Sequence, residues 1–405
     1  MMHDPLWRNR NFRLVFGASV FSHLGTGVYG VAFPWFATLL TRDPLLIGMV
    51  AMAPQLPWVF FALPAGVWTD RLDHRATLVR ANLLMAAMTL AVVALALWAA
   101  PGLASVLGLA GLAFLTGSVE VLRDNTAQTI LPDVVEPAAL EAANAALQSI
   151  DKLMGQFVGP PLAGALIAGS IAVPFGFHAL MLILSAGFLA QTKVRARATN
   201  APAAFWPALR EGLAWLWGHL ALRRLGLVLG LFNFLYEVIW SVMVLYAQDS
   251  LHLNAVQYGA LLSVLALGGL LGGLSSAWLL VRLGARRGLL LSIAGFCLAT
   301  GTLIFAKTPW VAGAALFCEA FTGMLWNVVT VSYRQRLIPA PLLGRVNAVY
   351  RFLGWSPRPF GSLLGGALVA LGAPLGGFAL HLPFAFATLG GVLMLAYCAR
   401  FLRLD

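Results

Sequence analysis

Three charged side chains interrupt one strongly apolar segment of the chain. Glu120, Arg123 and Asp124 lie in the segment 103–131 at positions i, i+3 and i+4, which places them on one face of a helix that Gln128 continues. In hydrocarbon a charged side chain costs roughly 2.5 to 3.5 kcal/mol, so each charge needs a partner, water or a function. Arg123 can neutralise one or both acids. The spacing favours proton transfer, because a carboxylate changes its proton affinity with its surroundings, and a permanently paired structural cluster is the alternative.

Charges interrupt other apolar segments as well. Asp151 and Lys152 lie in the segment 140–169, whereas Glu237, Glu319 and Arg351 are each interpreted as the single charge of a later segment. Our first hypothesis is that Glu120 or Asp124, whose charge Arg123 influences, carries the proton. Asp151 and Glu237 are the further candidates for this role. The candidates for proton coupling are therefore Glu120, Arg123, Asp124, Asp151 and Glu237.

Aromatic and polar side chains share one face of the segment 225–248. Asn233, Glu237 and Ser241 follow one another at helical spacing, and aromatic rings flank them. A mixed aromatic and polar lining suits an amphipathic organic ligand, although packing or contact with lipid is the alternative for the rings. The candidates for a substrate cavity are Tyr29, Phe33, Tyr236, Glu237, Trp240, Trp326 and Trp355.

The elements that must position these residues are long apolar segments. Only 10% of the 405 residues are charged and 60% are hydrophobic, whereas about a quarter of a soluble chain is charged. Segments of 20 residues or more are long enough, at about 1.5 Å per residue, to cross roughly 30 Å of hydrocarbon. Twelve such spans are predicted, at 13–40, 45–68, 76–100, 103–131, 140–169, 171–190, 225–248, 256–281, 288–306, 310–338, 342–371 and 375–401. We number them span 1 to span 12.

The basic residues indicate how the spans are oriented. Of the 26 Lys and Arg, twenty lie at the termini or in alternate connections, and only Arg42 and Lys307 lie in the opposite set of connections. Basic loops stay on the cytoplasmic side of a membrane, so both termini are expected in the cytoplasm. The net charge of +11 is therefore attributed to membrane orientation rather than to nucleic-acid binding.

The second half of the chain repeats the first. A single offset of 211 positions superposes five pairs: Phe21 and Phe232, Gly48 and Gly259, Arg71 and Arg282, Leu72 and Leu283, and Arg75 and Arg286. Further on the offset shrinks, and Gly159 and Gly164 match Gly361 and Gly366. Parallel repeats imply two bundles related by an axis along the membrane normal. We therefore predict an all-α membrane protein with twelve transmembrane helices in two pseudo-symmetric six-helix bundles.

The predicted domains are an N-terminal bundle at 1–191, a cytoplasmic linker at 192–224 and a C-terminal bundle at 225–405. The linker carries leucines on one helical face, which predicts a helix lying on the membrane surface. These are Leu209, Leu213, Leu216 and Leu220.

The connection between spans 2 and 3 carries a recognisable motif. Gly66, Asp70, Arg71 and Arg75 match the loop signature of the major facilitator superfamily, which the chain resembles over nearly its whole length. Asp70 and Arg75 are expected to pair, or to cap a helix end, in one state and to separate in the other. Two positions depart from the signature, since Asp73 replaces a glycine and His74 replaces an arginine. The connection between spans 8 and 9 holds a degenerate second copy without the acid, and a purely topogenic role is the alternative.

A second motif lies in span 5. Gly155, Gly159, Pro160 and Gly164 resemble the pattern of the superfamily's drug–proton antiporters, with Ala163 where the pattern has glycine. Glycines at this spacing let two helices touch backbone to backbone, and proline removes a helix hydrogen bond. A packing seam without influence on the direction of transport is the alternative.

The segments 128–166 and 335–368 resemble the exporter branch that contains macrolide-efflux and enterobactin-exporter proteins. That resemblance implies a monomeric exporter in a bacterial inner membrane, driven by protons, that moves an amphipathic small molecule by alternating access. An importer or a lipid flippase on the same fold is the alternative. The expected partners are a small-molecule substrate, protons and membrane lipids, with no nucleic acid, cofactor or metal. The sequence has no nucleotide-binding loop, H-E-x-x-H motif or Cys/His cluster that would suggest an enzyme.

Overall fold

The computed structural model describes residues 5–69, 72–193, 205–339 and 342–402. Every regular element in these ranges is helical. In the first half, a short helix Pro5–Arg8 precedes span 1 (Arg10–Leu40), span 2 (Pro44–Met52 and Leu56–Thr69), span 3 (His74–Trp98), span 4 (Leu103–Thr129), span 5 (Leu140–Ile150, Asp151–Val158 and Gly159–Gly169) and span 6 (Ala172–Ala190).

A separate helix, Phe205–Gly218, precedes the second half. It is followed by span 7 (Leu220–Trp240, Met243–Leu245 and Tyr246–Ser250), span 8 (Ala255–Leu283), span 9 (Ala285–Phe305), span 10 (Pro309–Leu337), span 11 (Leu343–Trp355 and Arg358–Leu371) and span 12 (Leu382–Phe401, after a 3-10 segment Ala373–His381).

Ten helices of the described ranges are long and apolar enough to cross a membrane. Spans 5 and 11 are not among them, and, like spans 2 and 7, each is divided into shorter helical segments. A π-helix, Asp151–Val158, interrupts span 5, and span 11 breaks between Trp355 and Arg358. The two broken spans occupy equivalent places in the repeat, and proline follows each break. The twelve predicted spans are consistent with this architecture, and the all-α membrane class is confirmed.

The chain divides into two compact units. The first consists of Met1–Thr41, Ala53–Pro202 and Ala255–Ala260, and the second of Arg42–Met52, Ala203–Asn254 and Leu261–Asp405. Each unit therefore includes a short piece of the other sequence half. The predicted boundaries at 1–191, 192–224 and 225–405 stay a prediction.

Each unit has an apolar core of its own. In the first unit Phe12 of span 1, Leu78 of span 3 and Leu131, which lies just after span 4, pack together. In the second unit the core includes Leu225 and Tyr350 of spans 7 and 11.

The predicted leucines in and just after the helix Phe205–Gly218 have different environments. Leu216 is fully buried in the core of the second unit, whereas Leu213 and Leu220 are exposed. Gly212 lies against the backbone of Arg345, and Glu211 forms an ion pair with the Arg345 side chain. The helix packs on span 11 through Gly212, and its predicted position on the membrane surface stays a prediction.

Candidate functional site

Spans 1 and 5 cross at glycines in the first unit. A Cβ on Gly27 would lie 2.9 Å from the carbonyl carbon of Gly155, and a Cβ on Gly159 would lie 2.7 Å from the Cα of Gly27. Real side chains do not fit at such distances, so the two backbones touch directly. The span 5 motif thus makes the close helix crossing that its glycine spacing predicts.

The same crossing contains the π-helix Asp151–Val158. The amide of Gly159 donates to the carbonyl of Met154, five residues earlier. Pro160 has no N–H to continue the α-helical pattern, and its ring would clash with the carbonyl four residues before it. The wider π turn accommodates this constraint. Single π segments within α-helices are frequent at functional sites.

A histidine and an acid meet at this π segment. The His23 Nδ1 lies 3.1 Å from an Asp151 carboxylate oxygen, and both side chains are about half-buried. Either group can bind or release a proton, and each changes the charge that the other experiences. The sequence nominated Asp151 but missed His23. His23 lies four residues before Gly27, and therefore on the same face of span 1. That spacing is the signal that could have identified His23.

The predicted cluster of span 4 points toward span 1. Arg123 is buried, and its guanidinium donates to the Ser22 hydroxyl at 2.5 Å. Glu120 lies within electrostatic reach of the Tyr29 hydroxyl. The Glu120 and Asp124 side chains are partly exposed. A proton-carrying role for these acids stays a prediction.

The two aromatic candidates of span 1 pack inside the first unit. Tyr29 stacks on Phe33 with ring centroids 5.3 Å apart and contacts the rings of Phe175 and His178. Phe33 and His178 are almost completely buried. Phe33 therefore takes part in packing within the first unit.

Glu237 has a basic partner in the second unit. Arg358 of span 11 donates from Nε to one carboxylate oxygen of Glu237 at 2.8 Å and from a terminal nitrogen to the same oxygen. The Ser362 hydroxyl lies 3.3 Å from the other oxygen. Glu237, the single charge of its own span, thus pairs with a charge on another span. Arg358 was missed because the partner comes from a span distant in sequence.

The Glu237 pair lies at a second close crossing. Gly361 of span 11 packs against the backbone of Phe234, and its missing side chain leaves room for the Glu237 Cβ. By the repeat offsets, Glu237 and Arg358 correspond to Thr26 and Gln156, which are uncharged. The two units therefore share the crossing, but only the second places an ion pair at these positions.

The remaining aromatic candidates have different surroundings. Tyr236 and Trp240 line a narrow pocket between spans 7, 9 and 10, which has room for about one water molecule. Trp326 is buried and stacks on Phe232 with centroids 5.9 Å apart, so it lies in the core. Trp355 is 38% exposed and lies under the Arg358 guanidinium at 4.9 Å.

The connection between spans 2 and 3 is described in part. Gly66 lies in the helix Leu56–Thr69, whereas Asp70 and Arg71 lie outside the described residues, so their pairing with Arg75 stays a prediction. The Arg75 guanidinium donates to the backbone carbonyl of Ala190 at the end of span 6.

The two departures from the loop signature have structural roles. Asp73 caps span 3, because its carboxylate accepts a hydrogen bond from the Ala76 amide at 2.7 Å. His74 lies 2.7 Å from the carboxylate of Asp133, with both side chains buried. The residues that replace the glycine and the arginine therefore stabilise the beginning of span 3.

Gly164, the last glycine of the span 5 motif, packs against the beginning of span 8 in the first unit. A Cβ on Gly164 would lie 2.8 Å from the Cα of Val256, and Gly259 packs on the backbone of Pro160 and Pro161. The beginning of span 8 is thus held against span 5 by paired small residues.

A family model described as "transmembrane secretion effector" matches residues 3–401. The chain belongs to this family. The resemblance to an exporter branch of the major facilitator superfamily is therefore confirmed.

Relatives within this group are similar over most of their length. The multidrug efflux pump Tap of Mycobacterium tuberculosis is 30% identical over 370 residues, covering 88% of this chain and 86% of the relative. Tap of Mycolicibacterium fortuitum is 30% identical over 91% of this chain and 92% of its own. The enterobactin exporter EntS of Salmonella typhimurium is 25% identical over 90% of this chain and 87% of its own.

Solved transporter structures share the fold of this family member. A D-xylose–proton symporter superposes with a TM-score of 0.76 at 13% identity, covering 98% of each chain. A bacterial homologue of the human lysosomal transporter Spinster, in an inward-facing and unoccupied conformation, gives 0.74 at 15% identity, covering 98% of this chain and 97% of its own. The chain is a multi-pass membrane protein with the major facilitator fold.

Proposed function

We propose that this protein is a proton-coupled exporter of amphipathic small molecules. The observation that carries the proposal is the 30% identity to the multidrug efflux pump Tap over 88% of the chain. The charged and aromatic groups within the spans fit such a role, because a carrier of amphipathic compounds needs apolar contact surface together with a few polar groups. On this proposal the protein is a transporter and not an enzyme.

Proton coupling requires an acid whose protonation depends on the conformation of its surroundings. Asp151 meets this requirement, because a second titratable group, His23, lies 3.1 Å away in a π-helical segment. A shift of the crossing between spans 1 and 5 changes that distance, and with it the proton affinity of both groups. Glu120 and Asp124 remain candidates on the neighbouring span 4.

Glu237 has a different role in this scheme. Its carboxylate is buried and accepts two hydrogen bonds from Arg358. A charge-assisted pair of this kind fixes the position of the carboxylate between spans 7 and 11. We therefore assign Glu237 to the structure of the second unit rather than to proton transfer.

The proposal places the chain in a bacterial inner membrane as a monomer with both termini in the cytoplasm. Transport proceeds by alternating access, in which the protein exchanges a proton for cargo without a cofactor. One pH unit contributes about 1.4 kcal/mol and 100 mV contributes about 2.3 kcal/mol per charge. A single proton therefore supports an accumulation of several hundredfold, roughly 500-fold, under both gradients together.

Flux measurements in proteoliposomes test the proposal. Purified protein is reconstituted, the lumen is made acidic, and uptake of a fluorescent amphipathic compound is followed before and after a protonophore is added. Exchange of protons for cargo predicts uptake that the protonophore abolishes. Uptake that is instead driven when the lumen is made alkaline, so that cargo and protons move in the same direction, indicates an importer. Transbilayer movement of labelled phospholipid without proton dependence indicates a flippase. Either result contradicts the proposal.

Separate substitutions test the acids. Glu120→Gln and Asp124→Asn remove the two carboxylates of span 4 while keeping side-chain size. Loss of proton-dependent uptake in one variant, with exchange of cargo for cargo retained, assigns the proton to that acid. Full proton-dependent flux in both variants eliminates span 4 as the coupling site.

A further inference from the structure

Three guanidinium groups lie together at the end of span 12. Arg286 of span 9 donates to the Ala399 carbonyl at 2.6 Å, and Arg224 of span 7 donates to the Phe401 carbonyl at 2.5 Å. The guanidinium carbons of Arg400 and Arg224 lie 5.4 Å and 5.9 Å from the centroid of the Phe401 ring. The ends of spans 7, 9 and 12 therefore place three positive charges around one exposed turn of helix.

The cluster has no acidic partner within the described part of the chain. There, no Asp or Glu side chain lies within ion-pair distance of Arg224, Arg286 or Arg400. A guanidinium carries five N–H donors in one plane, so an arginine that holds a backbone carbonyl keeps donors for an anion as well. Three neighbouring positive charges without a counter-charge attract a negatively charged ligand.

The corresponding end of span 6 in the first unit is built differently. There the neutral Asn11 side chain of span 1 pairs with the backbone of Lys193, donating to its carbonyl at 2.9 Å and accepting from its amide at 3.0 Å. Arg13, which the repeat offset of 211 aligns with Arg224, is exposed. The repeat therefore does not by itself require a cluster of this kind, and Arg13 provides a matched comparison for Arg224.

An apolar stripe leads from the cluster along span 12. It consists of Leu389, Leu393, Tyr397 and Phe401, which follow one another at four-residue spacing and are each at least 40% exposed. The Tyr397 and Phe401 rings are adjacent, with centroids 5.3 Å apart, and aromatic rings are typical of the boundary between membrane and water. The stripe is about 18 Å long at 1.5 Å per residue, which matches the roughly 15 Å of hydrocarbon in one leaflet. A lipid chain therefore has a continuous apolar surface that ends at positive charges.

We propose that the ends of spans 7, 9 and 12 bind one anionic phospholipid. Arg224, Arg286 and Arg400 hold its phosphate, and an acyl chain lies along the apolar stripe. Guanidinium groups suit a phosphate because they offer parallel N–H donors, and basic pockets between transmembrane helices bind anionic head groups. A phospholipid fits better than a soluble anion, because the charges and the apolar stripe form one surface. The lipid thereby connects three helix ends of the second unit, whatever the cargo or the direction of transport.

Native mass spectrometry of the purified full chain in detergent tests the site by counting bound lipid molecules. The probe is dioleoylphosphatidylglycerol, and dioleoylphosphatidylcholine, with the same chains and no net charge, is the reference lipid. The double variant Arg224→Gln, Arg400→Gln should bind the first phosphatidylglycerol about thirtyfold more weakly, since each arginine near the membrane surface contributes about fivefold. Binding of phosphatidylcholine should be the same in both forms. Arg13→Gln is the matched control and should leave both affinities unchanged.

Three results would overturn the proposal. The first is unchanged phosphatidylglycerol binding in the double variant, and the second is equal binding of the two lipids to the unmodified protein. The third is binding of glycerophosphoglycerol, the head group without acyl chains, as tightly as the lipid, which would indicate a site for soluble anions. If the double variant does not fold, Arg400→Gln alone decides. It keeps the backbone contacts of Arg224 and Arg286 and must still weaken phosphatidylglycerol binding about fivefold.

Discussion

Arg75 and Arg286, which are 211 positions apart, make the same contact in the two units. The Arg75 guanidinium donates to the backbone carbonyl of Ala190 near the end of span 6, and that of Arg286 donates to the carbonyl of Ala399 near the end of span 12 at 2.6 Å. Carbonyls in the last turn of a helix lack partners within it, and a positive charge there is favourable. The repeated loop arginines therefore cap helix ends, beyond any influence on membrane orientation.

These caps predict a paired effect on stability. Arg75→Gln and Arg286→Gln should each lower the free energy of unfolding by about 1 kcal/mol, because each removes a charge-assisted hydrogen bond at an exposed site. Thermal denaturation in detergent measures the change. The controls are Arg80→Gln and Arg287→Gln, which remove exposed arginines close in sequence. Equal effects in the variants and their controls would show that only the net charge matters.

The pair between Glu237 and Arg358 predicts strong coupling. Glu237→Gln leaves the Arg358 guanidinium without its counter-charge, and Arg358→Gln leaves a buried carboxylate, so each should destabilise the second unit by about 3 kcal/mol. The double variant should be less destabilised than the sum of the two, with a coupling of about 1 to 3 kcal/mol. Strictly additive losses in a denaturation experiment would contradict the pair.

The crossing of spans 1 and 5 predicts opposite effects for two glycines on one helix. Gly27→Ala places a methyl group against the Gly155 carbonyl and should cost about 1 to 3 kcal/mol through overpacking. Gly30→Ala, with nothing within 4 Å of the added Cβ, should be neutral or stabilising by up to about 1 kcal/mol through helix propensity. Thermal stability and cargo uptake should fall together in the first variant. Equal stability of the two variants would exclude the close crossing.

If the pair of His23 and Asp151 carries the proton, substitution of Asp151 should uncouple cargo transport from the proton gradient. Asp151→Asn should reduce proton-driven accumulation from about tenfold per pH unit toward simple equilibration, because no proton is then exchanged there. His23→Gln should change how accumulation depends on pH. Proteoliposome uptake at a fixed gradient measures both effects.

The matched control is a second His–Asp pair in the described part of the first unit. His74 and Asp133 lie 2.7 Å apart beside the connections between spans. Asp133→Asn should lower thermal stability and leave the ratio of accumulated to external cargo unchanged. If Asp151→Asn behaves in the same way as Asp133→Asn, the pair at the π segment is structural and the coupling assignment is wrong.

Local sequence patterns predicted the helices well. Span 4 was placed at 103–131 and is observed at Leu103–Thr129, since apolar length alone determines where a helix can cross hydrocarbon. The role of the span 5 glycines was likewise predicted from the sequence, because their spacing favours close backbone contact with a neighbouring helix, whichever helix that is. The π-helix within span 5 was not predicted, since proline indicates a break but not its geometry.

The sequence by itself determined the class of protein, the repeat and the charges within the spans, because hydropathy, loop charge and internal similarity are properties of the chain alone. Only the tertiary structure decided which charges meet. Arg358 lies 121 positions from Glu237, and His23 lies far from Asp151 in sequence. Such partners come from helices whose neighbours are chosen by packing, and spacing along a single helix carries no information about that choice.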